Sequence, residues 1–180
     1  MEFKGSKTEK NLQAAFAGES QARNKYTYYS EQAKKDGYVQ ISKIFEETAN
    51  NEKEHAKIWF KLLHEGNKVP DTFTNLEDAA NGEYYEWTQM YPTFAKEAKE
   101  EGFDKIAFLF ESVAHIEKEH DQRYKILHQN IEDGTVFQKR EKTVWICLNC
   151  GHIVEDIKAL EVCPVCAHPK SYFAMRVIDY

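Results

Sequence analysis

The chain has 180 residues, 42% of them hydrophobic and 30% charged, with a formal net charge of -6. That length suits one substantial domain and one small one, and the acidic balance disfavours binding nucleic acid through bulk charge. The opening residues, Met1 to Lys10, lack the apolar stretch of a secretory signal, and no later run approaches the ~20 apolar residues that cross a bilayer, so a cytoplasmic protein free of the membrane is expected.

Apolar periodicity predicts four helices before residue 140. The first runs from about Thr8 to Lys35, with Leu12, Phe16, Tyr26 and Ala33 on one stripe and Gly37 just past its end. The second, about Val39 to His64, is stopped by Gly66 and Pro70. The third begins near Thr74, where Thr74-x-x-Glu77 reads as a capping box, and ends before Gly102. Pro92 lies inside it and removes a backbone donor, which predicts a kink or bulge. The fourth runs from about Asp104 to Ile131, and a linker containing Gly134 is expected over 130–142. Beyond Glu141 the composition changes to Trp145, four cysteines, Pro164, Pro169 and a β-prone tail from Ser171 to Tyr180. The expected division is 1–140, helical, and 141–180, a small metal-binding domain.

The helical part repeats itself. Gly37, Ile41, Phe45, Ala49, Glu52 and His55 recur at a constant offset of 65 as Gly102, Ile106, Phe110, Ala114, Glu117 and His120. Glu19 recurs as Glu83 at an offset of 64, so the third helix carries one extra residue near Pro92. Two such hairpins, each too thin to bury its own face, are expected to form a four-helix bundle.

The repeated stripe holds carboxylates where apolar residues belong. Ile41, Phe45, Thr48, Glu52, His55, Trp59 and Leu62 advance by alternating steps of four and three, as do Ile106, Phe110, Val113, Glu117, His120, Tyr124 and Leu127. Such steps share one helix face, so both Glu-x-x-His pairs point inward. Glu19, Glu83 and Glu86 join the same interior stripe, giving five carboxylates and two imidazoles. An unpaired buried carboxylate costs several kcal/mol, and five together repel strongly. Protonation or bound cations are the two escapes, and two divalent ions offset most of the charge. One Glu from each of two helices plus Glu-x-x-His from each of two others is the ligand set of di-iron and di-manganese carboxylate bundles. The repeat places Glu19 and His55 toward one metal, Glu83 and His120 toward the other, with Glu52 and Glu117 bridging. Glu86 faces Ala22 in the repeat and is a surplus ligand, which suggests exchange with His55 between oxidation states. Glu54 and Glu119 fall off the stripe, and His64, His115 and His128 lack a suitably spaced Glu.

Cys147-x-x-Cys150 and Cys163-x-x-Cys166 form a thiolate set that fits zinc or a single iron. Spacing does not choose between them. Zinc has no redox chemistry, however, and a redox-active di-iron site needs an electron supply, which favours iron.

The chain closely resembles the rubrerythrin family over essentially its whole length. The resemblance is carried by KTEKNL and AFAGESQARNKY, FEETANNEKEHAK, GEYYEWTQMYPTFAKEA, IEKEH, and the CxxCG and CPVC knuckles with HPKSYF. It implies an all-α four-helix ferritin-like bundle holding a di-iron centre, then a small β-rich rubredoxin-like Fe(Cys)4 domain. It further implies peroxidase activity, reducing hydrogen peroxide to water for oxidative stress protection in an anaerobe or microaerobe. Implied partners are an external electron-donor protein, a rubredoxin or an NAD(P)H-linked reductase, and a second copy in a homodimer. Carried across, the di-iron ligands are Glu19, Glu52, His55, Glu83, Glu86, Glu117 and His120, with Glu52, His55, Glu86 and Glu117 taken as catalytic. Cys147, Cys150, Cys163 and Cys166 hold the single iron, and Tyr26 and Tyr91 match positions near the di-iron centre while also reading as core aromatics. Ala167 stands where free rubredoxins usually have Gly. A ferroxidase or iron-storage protein, a di-iron oxygenase and a zinc-ribbon adaptor are the rival readings; storage needs a cage, and the adaptor leaves the carboxylates unexplained.

Overall fold

In the computed structural model, residues 2–178 are described, so the last two residues of the β-prone tail lie outside the described residues. The chain divides into two compact units, Met1–Asp71 and Thr72–Tyr180.

The first unit is a hairpin of α1 (Lys7–Lys35) and α2 (Val39–Leu62). Ser6 starts α1 by accepting from the Glu9 backbone N–H at 3.1 Å while the Glu9 carboxylate accepts from the Gly5 N–H, so the helix begins with a reciprocal cap that periodicity alone passes over. The helices are fastened by Ser30, whose hydroxyl lies 2.9 Å from the Ser42 carbonyl and 3.0 Å from its Oγ. In the second unit Ala95 and Ala107 occupy the repeat-related positions, both buried.

The second unit opens with α3 (Thr72–Tyr85), continues through a π-turn at Glu86–Met90 into α4 (Tyr91–Glu100), and returns along α5 (Asp104–Glu132). The third expected helix is therefore α3, π-turn and α4 in succession. Its start at Thr72 puts Thr74 inside the helix and removes the proposed Thr74/Glu77 capping box. The expected bulge exists but lies just before Pro92, which sits in the first turn of α4, where its missing N–H costs least. The π-turn absorbs the extra residue of the repeat: Glu19 matches Glu83 at an offset of 64, whereas Tyr26 matches Tyr91 at 65.

The repeat extends to backbone geometry. α1 and α4 both end on a left-handed glycine, Gly37 at φ 88° and Gly102 at φ 85°. The next residue reaches back in each case, Tyr38 N–H to the Ala33 carbonyl at 2.8 Å and Phe103 N–H to the Ala98 carbonyl at 2.7 Å. Such a paired closure satisfies the last helical carbonyls and needs a residue that tolerates positive φ.

After α5 the chain enters β1 (Gln138–Cys147) almost at once, so most of the expected 130–142 linker is helix end and strand. β2 (Ile153–Lys158) and β3 (Phe173–Met175) flank β1 antiparallel in the order β2-β1-β3. The small core is Trp145, Cys147, Ala159, Cys163 and Phe173, with the Trp145 indole N–H donating to the Asp156 carbonyl at 3.0 Å.

The two cysteine knuckles share one design. Cys147 N–H donates to the His152 carbonyl and Gly151 N–H to the Cys147 carbonyl, both at 2.8 Å; Cys163 with His168 and Ala167 with Cys163 do the same at 2.9 Å. Closing the turn requires positive φ, 77° at Gly151 and 60° at Ala167. A non-glycine residue there costs roughly 1–2 kcal/mol. Ala167→Gly is therefore expected to stabilise the ribbon by about 1 kcal/mol after glycine's larger chain entropy is subtracted, read as a higher midpoint when the ribbon's absorbance is followed through thermal unfolding.

Candidate metal centres

The two Glu-x-x-His segments form two near-identical clusters, one in each helical unit. In the first, His55 Nδ1 on α2 lies 2.8 Å from Glu52 Oε2 and 3.9 Å from Glu19 Oε1 on α1. In the second, His120 Nδ1 on α5 lies 2.8 Å from Glu117 Oε2 and 3.7 Å from Glu83 Oε1 on α3. Matching distances in two different hairpins argue against chance surface pairing. Each set offers three donor atoms within 4.8 Å of one another, a mixed oxygen and nitrogen set that suits iron or manganese.

The seam is less enclosed within its own unit than its periodicity implies. Glu52 and Glu117 are 17% and 15% exposed, but the His55 side chain is 51% exposed. Ile41 and Ile106 on the same stripe are also exposed. Two helices share a single groove, so residues at its margin stay open whichever way the stripe points.

Electrostatics mark the second cluster as strained when it carries only its own charges. Burial pushes the Glu83 carboxyl above the ordinary carboxylate range, with hydrogen bonding and charge from Glu117 and the charge of Glu86 adding to the rise, against an opposing pull from His120. Burial likewise raises the Tyr91 phenol, helped by Glu86, Glu117 and Glu83. Tyr91 is thus placed among the carboxylates with its proton held firmly. Tyr26 packs between Tyr29 and Phe45, with ring centroids 6.1 and 6.2 Å away. Glu86 does not join the three-donor set, although its charge is felt by both Glu83 and Tyr91.

The residues set aside from the centre behave as expected. Glu54 is exposed beside Lys57, His64 Nδ1 contacts the Phe60 carbonyl at 2.7 Å, and His128 stacks on Phe73. Sequence periodicity passed over a different pair: Trp87, whose indole N–H donates to Asp121 Oδ2 at 3.1 Å. Asp121 is only 2% exposed and directly follows His120. An acid at the repeat position of buried Ala56 was the available signal.

In the ribbon the four thiols converge. Cys147 and Cys166 Sγ are 3.7 Å apart and Cys150 and Cys163 Sγ 3.6 Å apart. A disulfide needs ~2.05 Å, whereas thiolates ~2.3 Å from one tetrahedral metal sit about 3.8 Å from each other. The backbone N–H of His168 draws Cys166 down to about 5. The His152 N–H pulls Cys150 down as well, but desolvation and the three neighbouring sulfurs outweigh it and push that thiol up to about 12. One negative charge among four sulfurs suppresses the next, and a bound cation removes that conflict.

Helical hairpins carrying matched Glu/Glu/His clusters, joined to a tetrathiolate ribbon, define a di-metal carboxylate protein with its own one-metal redox module. The Rubrerythrin family profile matches residues 10–128, and the profile for the rubrerythrin rubredoxin-like domain matches 145–174. Rubrerythrin-1 of Clostridium acetobutylicum is 51% identical over 99% of this chain and 98% of its own. Rubrerythrin of Nitratidesulfovibrio vulgaris is 49% identical with the same coverage. The solved fully reduced, all-ferrous state of nigerythrin is 33% identical over 97% of this chain and 91% of its own, at a TM-score of 0.35. The chain belongs to the rubrerythrin family of oxidoreductases: a ferritin-like di-iron region followed by a rubredoxin-like Fe(Cys)4 domain. No helix among the described residues is long and apolar enough to cross a membrane.

Proposed function

We propose that this chain reduces hydrogen peroxide to water, taking two protons and two electrons per peroxide. The observation that supports the reading is the pairing of two matched Glu/Glu/His clusters with a thiolate set spaced for one metal. The relatives' name, rubrerythrin, agrees with it.

In this reading Glu19, Glu52 and His55, with Glu83, Glu86, Glu117 and His120, hold two irons, and Glu52, His55, Glu86 and Glu117 are the residues nearest the chemistry. When bound, the iron pair supplies one electron per metal and Lewis acidity toward the oxygens of peroxide. Tyr91 keeps its proton beside three carboxylates, so its phenol O–H is available there as a donor. Without cations the Glu83 carboxyl retains a proton more readily than an ordinary one, and binding a metal there would release it. Cys147, Cys150, Cys163 and Cys166 hold the single iron through which electrons enter.

The domain division is 1–140 for the di-iron part and 141–180 for the ribbon. The electron source is an external rubredoxin or NAD(P)H-linked reductase, the working form is a cytoplasmic homodimer, and the role is defence against peroxide. Iron analysis with visible spectroscopy tests this. About three irons per chain are expected, with thiolate-to-iron bands that bleach on reduction and return promptly with peroxide. A colourless, zinc-loaded ribbon, or reduced protein inert to peroxide, overturns the reading.

A further inference from the structure

We infer that the Trp87–Asp121 hydrogen bond is a latch that holds the π-turn in place and thereby positions Glu86; Trp87 and Asp121 are positioning residues, not ligands. The inference rests on the proposed reading of Glu86 as a metal ligand. Its starting point is four of the places where the repeat fails. Across the repeat Glu86 answers to Ala22, Trp87 to Arg23, Asp121 to Ala56 and Lys125 to Phe60. These four differences are not scattered. Glu86 and Trp87 are consecutive at the start of the π-turn, and Trp87, Asp121 and Lys125 are joined by hydrogen bonds.

Asp121 is costly where it sits. The same location on α2 is filled by Ala56, buried to a similar degree, so helix packing alone has no need of an acid. A carboxylate 2% exposed requires partners. Lys125 Nζ supplies charge from 2.8 and 2.9 Å, donating to Oδ2, and the Trp87 N–H completes Oδ2 from the π-turn. Oδ1 lies 2.8 Å from that ammonium without a well-directed hydrogen bond. The carboxylate is therefore organised around Oδ2, the oxygen that reaches the π-turn.

The π-turn needs such an anchor. Its wider hydrogen-bond ring is less favourable than the α-helix on either side, and α1 of the first unit runs through the corresponding region unbroken. There Arg23, Ala56, Lys57 and Phe60 line an open groove, whereas Trp87 makes the contact to α5 in the second unit. Trp87 is further fixed by an edge contact with Tyr84, centroids 5.6 Å apart, and by Lys118 Nζ 5.4 Å from its ring. With Trp87 tied to α5, its neighbour Glu86 is carried toward Glu83, three residues earlier, and its charge reaches both Glu83 and Tyr91.

The test is anaerobic Co²⁺ titration of metal-free full-length protein, with amide hydrogen exchange over residues 86–90, on wild type and on Trp87→Phe, Asp121→Ala, Asp121→Asn and Glu86→Gln. Trp87→Phe and Asp121→Ala are each expected to weaken one of the two carboxylate-site metals about 10-fold or more, leave the other metal and the thiolate site unchanged, and speed exchange in the π-turn. The double variant is expected to be no worse than either single one. Asp121→Asn, which keeps an oxygen for the indole N–H, should stay near wild type. The inference fails if Trp87→Phe binds both metals as tightly as wild type, or weakens all sites equally with a general loss of stability. Should Asp121→Ala not fold, the comparison of Trp87→Phe with Asp121→Asn decides alone. If Glu86→Gln leaves both affinities unchanged, Glu86 is not a ligand, and the ligand reading falls together with the latch. If Glu86→Gln weakens one site and Trp87→Phe does not, only the latch falls.

Discussion

Glu117→Ala is expected to lower peroxide turnover by at least about 100-fold and to cut the carboxylate-bound iron to one ion per chain or fewer. Glu117 is the most enclosed carboxylate of its cluster, lies 2.8 Å from His120, and is the charged group that most raises Glu83. Removing it takes away a proposed ligand and leaves His120 facing Glu83 across 3.7 Å. Glu119→Ala, two positions on, is the control: Glu119 is exposed and off the stripe, and its removal should change turnover by less than about 2-fold. A second readout separates ligand loss from misfolding. In metal-free protein Glu117 repels Glu83, so its removal should raise the melting temperature of the stripped form while lowering the increment gained on adding metal. Loss of activity with a wild-type metal increment would mean that Glu117 does not bind metal.

The cost of placing charge on an apolar stripe explains why the Glu/Glu/His clusters were legible in the sequence. Glu52, His55, Glu117 and His120 sit at steps of three and four along apolar stripes, where a charged residue has no packing reason to be. The repeat supplied an internal control that a single copy lacks. The same repeat located the extra residue of the third helix, and the structure places it in the π-turn. Periodicity did not reveal the turn's anchor, because Trp87 and Asp121 lie off the carboxylate stripe and an acid next to His120 reads as an ordinary polar helix residue until its burial is known. Capping was also poorly resolved. The Ser6/Glu9 cap was missed and the Thr74/Glu77 cap proposed wrongly, since a cap depends on where the backbone leaves helical φ/ψ rather than on the motif itself. The Ala167 anomaly was visible as a departure from Gly, and its positive φ shows that the backbone kept the knuckle's shape.

Cys163→Ser is expected to uncouple the two metal functions. Cys163 is 1% exposed in a core of only five buried residues, two of which are themselves metal-binding thiols. A domain of roughly 40 residues seldom folds on so small a core without a metal or cross-link, and a structural thiolate site commonly contributes on the order of 10 kcal/mol of folding free energy. The variant should therefore lose the thiolate absorption band, and Trp145, fully buried in the intact ribbon, should show red-shifted emission as the sheet opens. The helical clusters lie on α1, α2, α3 and α5 and use none of these residues, so iron at the carboxylate site should remain. Steady-state peroxide reduction with an external donor is then expected to fall by about 100-fold or more, roughly 2.7 kcal/mol or more on the limiting barrier, because the proposed electron relay is broken. Chemically reduced variant should still be reoxidised by one equivalent of peroxide at close to the wild-type rate. If single-turnover reoxidation were lost as well, the ribbon would be acting in the chemistry at the carboxylates rather than in delivering electrons to it. If steady-state turnover survived, electrons would have a route into the helical centre that bypasses the four cysteines.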